Sequence, residues 1–280
     1  MAKLALRTRW ILSLALLLAT HHASAQDSAL FAQSAQAALA RHWSAAAAPT
    51  VSWLLLDART GSLLASRWPD RDIPLPLGSL TKPFVALAYA RTHTAFPVIT
   101  CHGTQGSPPF CWLPAGHGPL TIQNAIGYSC NAYFLSLAGE TTQSALEAVA
   151  HDYFLPPPPA SSTPAIRIGL SLGWNIAPTD LARAYVRLWM QPEAQPILAG
   201  MHVAAQRGTA KTLRTTDALA KTGTAPCLQH CIASGDGFVV LLTPSAHPRL
   251  LLLVRKKGTT GSLTAATAAL MLHDLQAGAQ

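Results

Sequence analysis

Three short segments of this 280-residue chain hold side chains that together could run acyl transfer through a serine. That chemistry needs a hydroxyl held against a base, a second group to pass the proton on, donors aimed at the developing oxyanion, and a grip on the substrate. The first segment, Ser79-Leu-Thr-Lys82, lies where an extended stretch containing Pro74 and Pro76 gives way to a helical pattern. A spacing of three on a helix puts both side chains on one face, with Cβ atoms about 5–6 Å apart. Lys82 serves as a base only when neutral, a form favoured by burial and by nearby positive charge. A helix start also adds partial positive charge beside Ser79. Alone, the pair is weak evidence, because a chain of this length is expected to contain one such pair by chance.

The second segment is Ser129-Cys130-Asn131, between two helical stretches. Ser129 could pass a proton between Lys82 and a leaving amine, and Asn131 could hold Lys82 or a substrate amide. The plainer alternative is that Ser129 and Asn131 cap the helix beginning at Ala132. The third is Lys221-Thr222-Gly223-Thr224, at the end of a strand candidate. Glycine there lets another backbone approach, so a substrate could pair along the strand while Lys221 and the two hydroxyls bind its carboxylate. An edge strand with a protective lysine would look the same.

The elements that must position these segments follow from periodicity. Leu30 to Trp43 reads as an amphipathic helix, and Thr50 to Asp57 with Ser62 to Trp68 as a hairpin. A helical pattern runs from Ser79 to about Thr94, and two more helical stretches between Thr121 and His151 flank the break at Tyr128 to Asn131. Pro156 to Pro159 marks an exposed connection. Thr179 caps a further helix; strand candidates follow at Asp217 to Thr222, Gly237 to Thr243 and Arg249 to Arg255, then a last helix from Leu263 to Leu275. Two strands, a helical insertion, three strands and a helix imply an α/β (α+β) fold: an antiparallel five-stranded sheet flanked by helices, with an inserted all-helical lobe. The expected division is a signal at residues 1–25 and one domain at 26–280. Its helical lobe spans about 84–176, and its sheet lobe about 45–83 and 177–280.

Lys3, Arg7 and Arg9, then the apolar run from Trp10 to Ala19 and the small residues Ala23-Ser24-Ala25, have the layout of a cleavable secretory signal. The apolar run is short for a membrane span, so an uncleaved anchor is the weaker alternative. Removing the signal takes three charges from the formal +8 and leaves +5, modest and unclustered. Nucleic-acid binding is therefore not expected, and an anionic extracytoplasmic partner such as the cell wall suits the charge. With 50% hydrophobic and 11% charged residues the chain can bury a large core. Disulfides Cys101–Cys111 and Cys227–Cys231 fit an oxidising compartment and leave Cys130 single. A zinc site on Cys227, His230 and Cys231 is the alternative, but it lacks a fourth ligand at a finger spacing. Histidines 102, 117, 151 and 247 show no paired helical spacing, so no metal and no organic cofactor are expected.

In order and spacing the three segments resemble the SxxK, SxN and KTG set of penicillin-recognising serine enzymes. The flanks are similar to the transpeptidase domain of elongation-type class B penicillin-binding proteins. They are Gly116-His-Gly118 through Leu120, Asn124-Ala-Ile126, Tyr128 to Ala138, Ala177 to Tyr185, Gly200-Met201 with Gly208-Thr-Ala210, and Ala220 to Ala225. The resemblance runs from about Val51 to Leu270. It implies Ser79 as acylated nucleophile, Lys82 as general base, and Ser129 and Asn131 as relay and positioner. Lys221, Thr222 and Thr224, with Gly223, would bind the substrate carboxylate, and the backbone N–H groups of Ser79 and Thr224 would form the oxyanion hole. The implied partners are D-Ala-D-Ala stem peptides of peptidoglycan, β-lactams as covalent inhibitors and, peripherally, the wall-synthesis machinery. The large N-terminal pedestal usual in class B enzymes has no counterpart between the signal and the first hairpin.

A serine β-lactamase would share the motif set. Its class A form needs a deacylating glutamate, and Glu140, Glu147 and Glu193 lie in no Glu-x-x-x-Asn loop. A class D form uses a carbamylated lysine, which the sequence leaves open. A non-catalytic β-lactam sensor or wall-binding module would be expected to have lost Ser79, Lys82 or Lys221, and all three are present.

Overall fold

A computed structural model describes residues 31–104, 110–226 and 235–277. After helix α1 (residues 31–43), strands β1 (Val51–Asp57) and β2 (Leu63–Arg67) form the expected hairpin. The chain closes with β7 (Leu219–Ala225), β8 (Asp236–Thr243), β9 (Leu250–Lys256) and helix α9 (Gly261–Ala277). These five strands make one antiparallel sheet in the order β2-β1-β9-β8-β7.

The sheet is covered on both faces, so its inner strands read as near-continuous apolar runs. Side chains still alternate with period two. Val51, Trp53 and Leu55 of β1 pack with Leu39 of α1 and with Ala265, Ala268 and Met271 of α9. Leu54 and Leu56 face the other way, onto Phe84 and Tyr185.

That second face carries the helical part: α2 (Lys82–Ala90), α3 (Ile122–Gly127), α4 (Asn131–Glu140), α5 (Gln143–Asp152) and α6 (Pro164–Arg167). Helices α7 (Pro178–Trp189) and α8 (Gln195–Gln206) lead back to the sheet. Two short strand pairs complete the description, β3 (Leu75–Pro76) with β6 (Asn175–Ile176), and β4 (Ile99–Cys101) with β5 (Gly118–Leu120). Arg167 ties the helical part together, donating from Nη1 to the carbonyls of Ala138 (3.1 Å) and Thr141 (2.8 Å) and from Nε to Ser162 Oγ (3.1 Å).

Three boundaries differ from the periodic reading. Thr179 is not the cap of its helix: α7 starts at Pro178 after Ala177, and Thr179 Oγ1 donates to the Arg71 carbonyl at 3.3 Å. The segment starting at Ser79 opens as a 3-10 turn, Gly78–Thr81, and the α-helix begins at Lys82 and ends at Ala90. Gly78 at φ +58° forces the chain to turn there. β7 begins at Leu219 because Asp217, at φ +45°, breaks the extended run, and it continues through Ala225.

Candidate active site

Ser79 stands on the 3-10 turn that feeds α2, and the turn is pinned from two sides. Tyr185 Oη donates to the Leu80 carbonyl at 2.8 Å, and the backbone N–H of Lys82 donates to the Ser79 carbonyl. On the other side the turn abuts the edge strand β7 so closely that a Cβ on Gly78 would lie 2.4 Å from the Thr224 carbonyl oxygen. A Cβ on Gly223 would lie 2.5 Å from the Leu77 carbonyl oxygen. Both glycines are therefore required by backbone-to-backbone approach. That approach sets the Ser79 end of the turn beside Thr224.

One turn along, Lys82 is fully buried, its Nζ donating to Asn131 Oδ1 at 2.7 Å and to the Ser129 carbonyl at 2.9 Å. Ser129 Oγ lies 3.5 Å from the same nitrogen. Burial pushes the Lys82 pKa down from the ordinary 10.5 to about 8, against an opposing pull from Cys130 and Cys111. A neutral amine has two N–H bonds and one lone pair. Asn131 Oδ1 and the Ser129 carbonyl take the two hydrogens, which leaves the lone pair as the acceptor of a further proton.

Ser129 sits between the two lysines. Its backbone is in the left-handed region, φ +51°, in the three-residue gap between α3 and α4. For a residue with a Cβ this conformation costs about 1 kcal/mol, and it persists only where the surroundings over-determine it. Here it aims the carbonyl at Lys82 while Oγ accepts from Lys221 Nζ at 2.8 Å. Lys221, also fully buried, donates in addition to the Thr222 carbonyl at 2.6 Å. Its pKa is lowered well below the ordinary value, first by burial and then by the charge of Lys82. Because Lys221 occupies a lone pair of Ser129 Oγ, the Ser129 hydroxyl proton is free to point elsewhere.

The end of β7 is braced from behind. Thr222 Oγ1 is 2.6 Å from Thr209 Oγ1, and the Thr209 N–H donates to the Gly127 carbonyl at 3.1 Å, joining the strand to the end of α3 just before Ser129. Thr224 Oγ1 accepts from the Gly261 N–H at 2.9 Å, where α9 begins.

The Cys101–Cys111 disulfide expected from the sequence is corrected by the structure, in which Cys101, Cys111 and Cys130 are all free thiols. The β4–β5 pairing sets Cys101 opposite Gly118, one residue from His117, and Cys111 Sγ accepts from the Asn131 N–H at the start of α4. Nor is Cys130 set apart. The ligand atoms of Cys101, Cys111, His117 and Cys130 all lie within 4.8 Å of one another. Cys111 Sγ is 3.8 Å from Cys130 Sγ, and His117 Nδ1 is 3.5 Å from Cys101 Sγ and 3.6 Å from Cys111 Sγ. For a tetrahedral zinc-class ion, bond lengths of about 2.3 Å to sulfur and about 2.0–2.1 Å to nitrogen put adjacent donors about 3.8 Å (S to S) and about 3.5 Å (S to N) apart. The donor set and its spacing fit such an ion. Cys227 and Cys231, with His230, lie outside the described residues.

The structure thus brings Lys82, Ser129, Asn131 and Lys221 into one hydrogen-bonded network and sets Ser79 on the turn between Lys82 and Thr224. The sequence reading missed the thiol cluster and gave no role to Thr209. The cluster's only sequence signal was Cys130 between Ser129 and Asn131; intervals of nine, five and twelve residues match no finger pattern. Glu140 and Glu147 are engaged elsewhere, Glu140 with Tyr89 Oη at 3.5 Å and Glu147 with Gln143 Nε2 at 3.0 Å.

No protein-family model and no curated protein sequence matches the chain. Solved structures do. The chain is similar to Pseudomonas aeruginosa PBP2 in complex with WCK 5153, with 18% identity and TM-score 0.69, over 87% of this chain and 73% of that one. It is similar to Helicobacter pylori PBP2 in its complex with MreC, with 16% identity and TM-score 0.70, over 88% of this chain and 62% of that one. It is also similar to the transpeptidase domain of Burkholderia pseudomallei penicillin-binding protein 3, with 18% identity and TM-score 0.67, over 90% and 94% of the two chains. The chain has the fold of penicillin-binding-protein transpeptidase domains.

Proposed function

We propose that this protein is a serine acyl-enzyme that opens β-lactams and acts on D-Ala-D-Ala stem peptides of peptidoglycan as a DD-transpeptidase or DD-carboxypeptidase, through an ester on Ser79. The observation that carries the reading is the network of Lys82, Ser129, Asn131 and Lys221, next to a serine-bearing turn packed on the edge strand.

In the first step the Lys82 lone pair takes the Ser79 proton as Oγ attacks the carbonyl carbon. The oxyanion is met by the backbone N–H groups of Ser79 and Thr224, whose mutual position is held by the contact at Gly78. Such a donor is worth about 3–4 kcal/mol where one has been removed from other enzymes. As the tetrahedral species collapses, Ser129 gives its proton to the departing amine and takes one back from Lys82. Lys221 steadies the Ser129 oxygen through this exchange. The Lys221, Thr222 and Thr224 side chains hold the substrate carboxylate, and Asn131 keeps Lys82 oriented.

The basic, apolar and small residues at the start of the sequence support export with a cleaved signal, and among the described residues no helix is long and apolar enough to cross a membrane. The complex of H. pylori PBP2 with MreC supports a peripheral association of this chain with wall-synthesis machinery.

Fluorescent penicillin, followed by peptide mapping and intact mass over time, tests the reading. A stable adduct on Ser79, absent in Ser79→Ala, is expected. Labelling elsewhere would overturn the nucleophile, and many turnovers of hydrolysed drug per protein would make the chain a β-lactamase.

A further inference from the structure

The sheet has two covered faces, and only one carries the acylating network. Helix α2, with Lys82, lies on the face of Phe84 and Tyr185, whereas α1, α9 and the 3-10 turn Lys211–Leu213 cover the other, joined through Leu39, Ala265, Met271 and Leu213. A helix on a protein surface normally turns charged residues to water. Helix α9 does not. Its outward positions include Leu263, Ala266, Leu270 and His273, and both leucines are 61% exposed. They are two turns apart, so they stand on one side of the helix. The single charged side chain of α9, Asp274, is engaged with α1: its Oδ2 accepts from Trp43 Nε1 at 2.8 Å and lies 3.0 Å from His42 Nδ1.

The border of this face is basic. Helix α9 packs against the 3-10 turn, and beside that turn Gln206, Arg207, Lys211, Thr212, Arg214 and Thr215 line an open cavity of about 630 Å³. The three cations are exposed and form no ion pair among the described residues. Arg207 Nη2 donates to Asn124 Oδ1 at 3.2 Å, and the nearby carboxylate of Asp217 accepts from Ser245. Across α1, α9 and residues 195–216, Asp274 is the only carboxylate, against Arg41, Arg207, Lys211 and Arg214.

We propose that this face docks the exported protein onto an anionic phospholipid bilayer, with Leu263 and Leu270 entering the headgroup boundary and Arg207, Lys211 and Arg214 binding lipid phosphates. Exposed apolar side chains gain by leaving water at such a boundary, and long cationic side chains reach the phosphates beside it. A soluble polyanion would satisfy the cations but leave the leucines in water; a bilayer meets both. The chain ahead of α1, which carries the export signal, also joins the fold on this side. Docking here turns the opposite sheet face, with Lys82 and the helical part, away from the lipid. The docking stands without the acyl-enzyme reading, and acylation is not its readout.

The test uses residues 26–280, the exported form, which holds every described element. Co-sedimentation is measured with vesicles of phosphatidylglycerol and phosphatidylcholine in equal parts and with phosphatidylcholine alone, at low and high salt. Retention on the anionic vesicles should exceed that on the neutral ones by about 100-fold and fall steeply with salt. Lys211→Gln with Arg214→Gln should lower it about 25-fold, about fivefold for each cation removed. Leu263→Ser with Leu270→Ser should lower it about tenfold on either vesicle. All four positions are exposed, and circular dichroism with thermal unfolding checks that both double variants fold as wild type. The lipid-charge and salt comparisons use wild type alone, so they decide the proposal where a variant does not fold. Equal retention on the two vesicles overturns it, as does a folded double variant that binds like wild type. Stronger retention on lipid-free peptidoglycan sacculi, lost in the same variants, overturns it too and makes the face a site for wall polymer.

Discussion

Replacing Lys82 with methionine, of similar length and without charge, tests whether burial depresses the pKa of the proposed base. The folded protein holds this amine at a pKa of about 8, whereas the unfolded chain has the ordinary 10.5. Between those values the unfolded chain binds a proton that the folded protein does not, so stability rises with pH there. Each pKa unit is worth about 1.4 kcal/mol, so Lys82 should add about 3 kcal/mol of stability as pH climbs from 7 to 10.5. The group is fully buried, which leaves little solvent screening to reduce that figure. Urea unfolding of wild type and Lys82→Met at steps across this range, followed by tryptophan fluorescence under reducing conditions, gives two curves. Their difference removes groups common to both proteins. Relief of Lys221, whose pKa Lys82 also lowers, acts in the same direction. The difference should grow by about 3 kcal/mol toward high pH. A flat or falling difference would mean that Lys82 is held protonated in the fold, and it could not be the base. Wild-type acylation should then also fail to climb about tenfold between pH 7 and its plateau above 8, the rise required by a neutral fraction of about one tenth at pH 7.

Three further outcomes follow from the packing. Gly78→Ala adds about 1 kcal/mol of backbone strain and drives a Cβ to 2.4 Å from the Thr224 carbonyl. Penicillin acylation should fall by about 100-fold, whereas Gly258→Ala, also at positive φ but with nothing within 4 Å, should lower stability by about 1 kcal/mol and leave acylation intact. Thr209→Val keeps the shape but removes the 2.6 Å contact to Thr222, so the second-order acylation rate should drop about fivefold for about 1 kcal/mol; an unchanged rate would refute the brace. Arg167→Ala leaves the carbonyls of Ala138 and Thr141 without their donor and should cost about 2–4 kcal/mol in urea unfolding.

The sequence by itself determined what local pattern determines. Short apolar runs specified the strands from Val51 and from Leu250, and the 3.6-residue pattern specified α7, whose apolar face recurs every three to four residues. Only the tertiary structure decided which distant atoms meet. Lys221 reaches Ser129 across 92 residues because β7 is the sheet edge and α3 ends beside it, and no periodicity encodes that. The cysteines were misread on the same ground. Nearness in sequence favoured pairing Cys101 with Cys111, but a sulfur's partners are set by where its backbone is carried. The β4–β5 pairing and the start of α4 carry three sulfurs and one imidazole to a single point.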